Sequence, residues 1–312
     1  MNFKKIYLLM VFSVLIVFES LAQSEPMFTQ YTFNEIFINP AYSGSHDALS
    51  ISSVAREQWV NMEGSPRTKT LTAHTPIFKS KVGIGLTIYQ DDIGVSSQTG
   101  YFANYTYRIK MNRGVLSLGL LGGLSGYQER LTEVKTNTKD VQFSANIPVS
   151  YAPNFGFGVY YYTKKFYLGL STPRMMDNRL VISQNNTIER VDGKFAGNEL
   201  HYFLATGLIV DINPFFKLRP SGMVKAVLNA PVEYDANIAA LMYNVLWVGT
   251  GYRSGDAINF LSAIQINNQF RVGYSYDYTV TALRKVAGGT HEFSMNYIFK
   301  YKNKKITSPR YF

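Results

Sequence analysis

The chain has no cysteine among its 312 residues, which removes disulfide staples, thiolate nucleophiles and thiolate metal ligands at one stroke. Charge is sparse as well. Asp, Glu, Lys and Arg make up 17% of the sequence, too little for the solvated outer faces of a soluble β-sandwich of this size. Histidine is scarce, and His46, His74, His201 and His291 have no second His or Cys at ligand spacing, so the three convergent ligands of a metal site are not expected. The two carboxylates of Asp91-Asp92-Ile93-Gly94 read as an acidic turn and fall short of the roughly six to eight oxygens of a calcium site. Serines are common enough that any Ser, His and acid trio can be drawn, so none is singled out, and no enzyme and no cofactor are expected. Glycine-rich pieces such as Gly83-Ile84-Gly85 and Gly119–Gly123 sit inside strand patterns rather than between a strand and a helix. They are poor phosphate cradles and better sites for close approach of another segment.

Long apolar runs are missing too, apart from the start. Lys4 and Lys5, the apolar stretch Ile6–Phe18 and the small residues Ser20 and Ala22 read as a secretory signal peptide over residues 1–22. A stretch of thirteen residues is too short to cross a hydrocarbon core of about 30 Å. Cleavage before Gln23 lowers the net charge of +10 by one, since Lys4, Lys5 and Glu19 leave together. The surplus that remains fits an anionic neighbour such as lipid headgroups, an acidic partner or a glycan. Nucleic acid is not expected for an exported chain.

What is plentiful is Tyr (23), Phe (21) and Gly (24), the composition of strands with aromatic girdles. From Asp47 onward the apolar period is two. In Gly114–Tyr127, Leu116, Leu118, Leu120 and Leu124 share one face, and Ser117, Gly119, Gly123 and Ser125 the other. The same holds for Val272, Tyr274, Tyr276 and Tyr278 against Arg271, Gly273, Ser275 and Asp277. The fold class this implies is all-β, a transmembrane antiparallel β-barrel of about 14 strands. Strands are expected to start near Asp47, Arg67, Lys81, Thr99, Gly114, Pro153, Lys165, His201, Phe216, Val232, Val245, Ala257, Asn268 and Thr290. All long connections then fall on one side: Glu57–Pro66, Asp91–Gln98, Gln128–Ala152, Thr172–Leu200 and Tyr278–Gly289. The domain reading is a signal peptide (1–22), an N-terminal periplasmic or plug segment (23–46), the barrel (47–301) and a basic periplasmic tail (302–312). Both termini are expected in the periplasm.

The stretch Phe28–Gly44 fits neither a strand nor a helix, yet it is dense in aromatics and asparagines. It is expected to pack at the periplasmic mouth or in the lumen, with Phe28, Gln30, Tyr31, Phe33, Asn34, Asn39, Pro40 and Tyr42 as candidate plug or partner-contacting residues. A barrel of this size leaves room for solvent unless something occupies it. Five cations at inward positions, Arg108, Lys217, Arg219, Lys225 and Arg271, either line an anion-selecting lumen or pair with Glu233, Asp235, Asp277 and Glu292. Lys110 stands at the same parity.

The residues Phe28-Thr-Gln-Tyr31, Phe33-Asn34, Ile38-Asn-Pro-Ala-Tyr-Ser-Gly44 and Arg56-Glu-Gln-Trp59-Val60 resemble the opening of the PorP/SprF family. These are outer-membrane proteins of the type IX secretion and gliding-motility systems of the Bacteroidetes. Gly64-Ser-Pro66, Val82-Gly83-Ile84-Gly85, Asp91-Asp92-Ile93-Gly94 and Pro309-Arg-Tyr-Phe312 extend the resemblance over the mature chain, with Arg56, Gln58 and Trp59 as motif positions. Asn34-Glu35 departs from it, standing where Asn-Pro or a similar pair is expected. The resemblance implies a non-enzymatic barrel that supports export or surface attachment of large secreted proteins or gliding adhesins. Implied partners are a type IX client or adhesin C-terminal domain, periplasmic motor or peptidoglycan-linking proteins, and outer-membrane lipid. The alternative is a porin or a hydrophobic-ligand transporter of FadL type.

Overall fold

The computed structural model describes residues 26–134, 143–177, 181–182, 188–189, 194–195, 200–228 and 230–299; the signal-peptide and tail expectations lie outside them. Fourteen antiparallel strands form one closed sheet. They are β1 (Ser50–Glu57), β2 (Arg67–Ile77), β3 (Val82–Ile93), β4 (Ser96–Lys110), β5 (Val115–Glu129), β6 (Ile147–Tyr162) and β7 (Phe166–Thr172). After a long connection come β8 (His201–Leu208, resumed at Val210–Asn213), β9 (Phe216–Val227), β10 (Glu233–Met242), β11 (Leu246–Arg253), β12 (Ala257–Gln265), β13 (Phe270–Thr279) and β14 (Thr290–Ile298). Every strand pairs with its neighbours in the chain. The wall closes where β14 meets β1, in register from Ser50 opposite Ile298 to Glu57 opposite His291.

The period of two becomes two environments. On β5, Leu120 points outward and is 62% exposed, whereas Ser117 points inward and is 1% exposed. Phe293, Met295 and Tyr297 face out from β14, and Glu292, Ser294 and Asn296 face in. This is a polar interior inside an apolar jacket, the inverse of a soluble protein and the arrangement that a bilayer stabilises.

Short turns gather at one end of the barrel, at 78–81, 111–114, 163–165, 214–215, 243–245 and 266–269. Long connections gather at the other, notably 58–66, 130–146, 173–200 and 280–289. Two of the expected long loops are shorter than their sequence suggests. β3 and β4 are joined by residues 94–95 alone, and β5 and β6 approach to within 130–146. β4, β5 and β6 therefore run 15, 15 and 16 residues, against 7 for β7, and the wall stands high on that side. Above the bilayer both faces meet water, so the apolar and polar contrast that marks a strand disappears while pairing continues. Gln98 and Tyr127 show it, their side chains bonded at 2.8 Å across β4 and β5. Asp91 is likewise a strand residue and not part of a turn, paired with Gln98. It is buried, and its carboxylate accepts a 2.6 Å bond from the Thr68 hydroxyl.

Leu120 lies near mid-height on the lipid side. Leu120→Arg is expected to weaken folding into lipid vesicles by about 2–4 kcal/mol, read from urea titrations. A change below about 0.5 kcal/mol would argue against a lipid-facing position.

Candidate functional site: the occupied lumen

A closed wall has no free backbone on its inner surface, because every strand is already paired. Any segment inside must satisfy its own N–H and C=O groups or borrow side chains. Residues 28–43 do both. Three short 3-10 turns, Tyr31–Phe33, Glu35–Phe37 and Pro40–Tyr42, close backbone bonds locally, for example from Phe33 N to Gln30 O and from Asn34 N to Tyr31 O, each at 2.9 Å. Asn39 caps the third turn, its Oδ1 accepting from Ala41 N at 3.0 Å, with Pro40 at the first position.

The remaining groups are met by the wall. The hydroxyls of Thr106 and Ser171 donate to the carbonyls of Pro40 and Ile38 at 2.8 and 2.6 Å. Thr72 donates to Asn34 Oδ1 at 2.8 Å, Ser294 donates to Gln30 Oε1 at 2.7 Å, and Asn39 Nδ2 donates to the Val159 carbonyl at 3.1 Å. These bonds reach β2, β4, β6, β7 and β14, about half of the wall. Phe28, Gln30, Tyr31, Phe33, Asn34, Asn39, Pro40 and Tyr42 are all buried.

Two glycines make this close packing feasible. A Cβ on Gly83 would strike the Ser43 carbonyl, and one on Gly119 would strike the Ala41 backbone. At both positions the wall has to be bare for the segment's main chain to lie against it.

At the long-loop end the segment is held by charge. Thr29 N and Gln30 N donate to the two carboxylate oxygens of Glu292 at 2.9 and 2.8 Å, and the Thr29 hydroxyl donates to Asp277 at 2.7 Å. Arg56 bridges both acids, at 2.8 Å to Asp277 and 2.9 Å to Glu292. Arg253 lies 3.2 Å from Asp235 and 3.4 Å from Asp277. All five ionic side chains are buried. Lower down, Phe33 lies between two cations and an indole. The Arg271 and Arg219 guanidinium carbons stand 3.9 and 4.5 Å from its ring centre, and Arg219 also stands 4.4 Å from that of Trp247. Such contacts contribute up to about 2 kcal/mol when desolvated.

The sequence-derived cations therefore separate. Arg219 and Arg271 stack on the segment's Phe33. Arg108 pairs with Asp47 at 2.9 Å and bonds the Tyr162 hydroxyl. Lys225 approaches Glu233, and Lys217 approaches Asp211, each at 3.8 Å. The expected acids Asp235, Asp277 and Glu292 are met instead by Arg56 and Arg253. Arg253 ends β11 at an inward position, a signal the alternation carried but its neighbours Gly251 and Tyr252 obscured. Of the three motif positions, only Arg56 joins the site. Gln58 and Trp59 belong to the connection at 58–66, where Trp59 N donates to the Thr290 hydroxyl at 3.2 Å.

Two further features of the site are not readable from residue spacing. His46 and His74, far apart in sequence, come together with ring centres 4.9 Å apart, both against Tyr42; Gly44 N donates to His74 Nδ1 at 3.0 Å. Among the described residues no group of three or more His, Cys, Asp or Glu is placed to hold a metal. The segment also runs the length of the lumen, from Thr29 at the long-loop end to Gly44 beside Pro76 and Gly83 at the short-turn end. Pro26, the first described residue, lies towards the long-loop end.

A family model described as type IX secretion system membrane protein PorP/SprF matches residues 20–297. No curated protein matches the sequence. Among solved structures the chain is similar to the outer membrane protein Omp33 of Acinetobacter baumannii, at 8% identity over 81% of this chain and 98% of that one, with a TM-score of 0.47. It is similar to the CymD monoaromatic hydrocarbon channel at 9% identity, covering 90% and 95%, with a TM-score of 0.47. A Pseudomonas aeruginosa FadL homologue is similar at 10% identity, covering 89% and 96%, with a TM-score of 0.44.

Removing Arg56 leaves Asp277 and Glu292 buried without their main counter-charge. Arg56→Met is expected to cost about 3–5 kcal/mol of folding free energy in vesicles, and a loss under about 1 kcal/mol would show that the cluster does not hold the segment. Gly119→Leu is expected to leave the barrel folded but make residues 28–43 cleavable by protease; continued protection would contradict the packing described.

Proposed function

The chain belongs to the PorP/SprF family of type IX secretion system membrane proteins, and from that premise we propose that it is a non-enzymatic outer-membrane barrel acting through protein contacts at its two mouths. Its task is to support export or surface attachment of large secreted proteins or adhesins. The observation that carries this reading is the filled lumen. An open barrel of this size would pass solutes, but residues 28–43 reach the wall on all sides, and their removal would take the Thr29 and Gln30 donors from Asp277 and Glu292 and dissolve the Phe33 stack. A lumen occupied in this way points to work done on the surfaces, which weighs against the porin and FadL-type alternative.

The two mouths differ in character, and this suits different partners. The short-turn face carries the exposed cations Lys79, Lys81, Lys110, Arg113, Lys164 and Lys165. Short turns face the periplasm in barrels of this class, so a periplasmic motor or peptidoglycan-linking protein with an acidic face fits there. The long connections and the tall β4–β6 wall face outward, where a client or adhesin C-terminal domain would meet them. Outer-membrane lipid surrounds the apolar jacket. A cleaved signal peptide over residues 1–22 delivers the chain, and the basic tail from residue 302 adds to the positive periplasmic face.

In planar bilayers the intact protein is expected to be silent, and deletion of residues 28–44 is expected to open a conductance. Steady conductance by the intact protein would sink the reading. Affinity purification from gently solubilised membranes is expected to recover exported and motor proteins, and recovery of neither would count equally against it.

A further inference from the structure

The two groups of buried arginines in the lumen are not compensated alike. Arg56 and Arg253, at the long-loop end, face Asp277, Glu292 and Asp235. Lower down, Arg271 is 8% exposed and makes no hydrogen bond or ion pair among the described residues; its guanidinium rests on the Phe33 ring at 3.9 Å. The ionisable groups that act on it are Arg219, a second cation, and the Tyr42 phenol. Arg219 is 2% exposed and stands on the same Phe33 ring and on Trp247. One carboxylate, Glu35, acts on Arg219, a single acid for two cations. Ring faces offset part of the cost of burying a cation, but two guanidiniums on one ring repel each other in a low-dielectric interior and favour a negative charge beside them.

The lumen has room for one. Between the segment and β9–β12 lies a cavity of about 10 Å³, space for a single water or monatomic ion. Thr32 of the segment and Arg219, Ser221, Asn237, Gly249 and Asn259 of the wall border it, and no carboxylate among the described residues does. Asn259 is 2% exposed, and its Nδ2 meets no acceptor among the described residues. A buried amide donor without an acceptor is costly, and this one shares its cavity with a guanidinium.

We propose that this cavity binds one small monovalent anion of chloride size. A water would answer the Asn259 donor and leave the surplus positive charge. An anion answers both, and Arg219 repels a metal cation from the same space. The bound ion sits between Thr32 on the segment and Arg219 and Asn259 on β9 and β12. It therefore ties the segment to a part of the wall that the hydrogen bonds to β2, β4, β6, β7 and β14 do not reach. The lumen is then closed by an inorganic ion as well as by side chains, whichever partners meet the two mouths.

Trp247 reports on the site, because Arg219 stands 4.4 Å from its ring centre. The chain has two tryptophans, so Trp59→Phe leaves Trp247 alone, and at 1% exposure it is out of reach of solutes in bulk water. Bromide quenches indole fluorescence on contact, and chloride does not. The Trp59→Phe protein is folded into vesicles in sodium gluconate, in bromide, or in bromide with added chloride, all at one ionic strength. Quenching is expected to saturate with bromide and to be relieved by chloride; gluconate, too large for the cavity, is expected to give none. Asn259→Leu keeps roughly the side-chain volume and removes the donor, and is expected to weaken bromide binding about tenfold. Folding of this variant is checked by its migration on unheated gels. If it does not fold, Arg271→Gln, which removes one of the two cations, takes its place with the same expected loss. Quenching that is absent, linear in bromide or indifferent to chloride overturns the proposal and leaves the cavity to water. Saturable quenching that persists unchanged in the folded variant overturns it equally, because the ion would then lie elsewhere.

Discussion

A closed antiparallel wall of fourteen strands encloses more space than its own inward side chains can fill, and the molecule is built around meeting that requirement. Water would be the default filler, as in porins. Here the chain's own residues 28–43 take that role. Because the wall has spent all its backbone groups on itself, the filler cannot be another strand. It folds as three 3-10 turns, which satisfy donors locally, and lays its remaining carbonyls against the hydroxyls of Thr106 and Ser171. The aromatic and asparagine-rich composition of this stretch follows from these two demands. Rings supply volume, and amides and hydroxyls supply bonds in all directions.

The charge cluster has a position that gives it a second role. Arg56 is on the first strand, Glu292 on the last, and Asp277 on the strand before it. The seam between β1 and β14 is the final pairing needed to close the barrel. The cluster lies across that seam, and the segment's Thr29 and Gln30 donate to the acids on its far side. Buried ion pairs are a weak source of net stability, because desolvation offsets most of their attraction. Their value here is positional. Arg56 opposite Glu292 belongs to one register of the closing strands, and a slip of one residue would turn every inward group on β1 towards lipid.

Much of this was legible beforehand, for a physical reason. Within the bilayer the two faces of a strand meet lipid and a polar interior, so the alternation is sharp, and starts such as Arg67, His201, Phe216, Ala257 and Thr290 coincide with the strands observed. Legibility fails where that contrast ends. Above the bilayer Ser96–Thr99 and Tyr127–Glu129 continue as strands without an apolar face. Inside the lumen the failure is of another kind. Period two says that Arg219, Arg253 and Arg271 point inward, but not what each meets there. Which cation pairs with an acid and which lies on Phe33 depends on the path of a segment that has no period of its own. The meeting of His46 with His74 is unreadable for the same reason, since it follows from the segment's exit beside β2.

The filled lumen and the seam cluster together bear on assembly. The segment contacts both strands whose pairing closes the wall, at the end of the barrel where its own upstream residues lie. Glu292 has backbone donors from Thr29 and Gln30 as well as the Arg56 guanidinium. Closing the wall around an empty lumen would leave Glu292 and Asp277 with fewer donors in a space that water must then fill. The segment and the seam consequently share the same buried carboxylates, and the barrel is best regarded as a wall completed by its own leading segment.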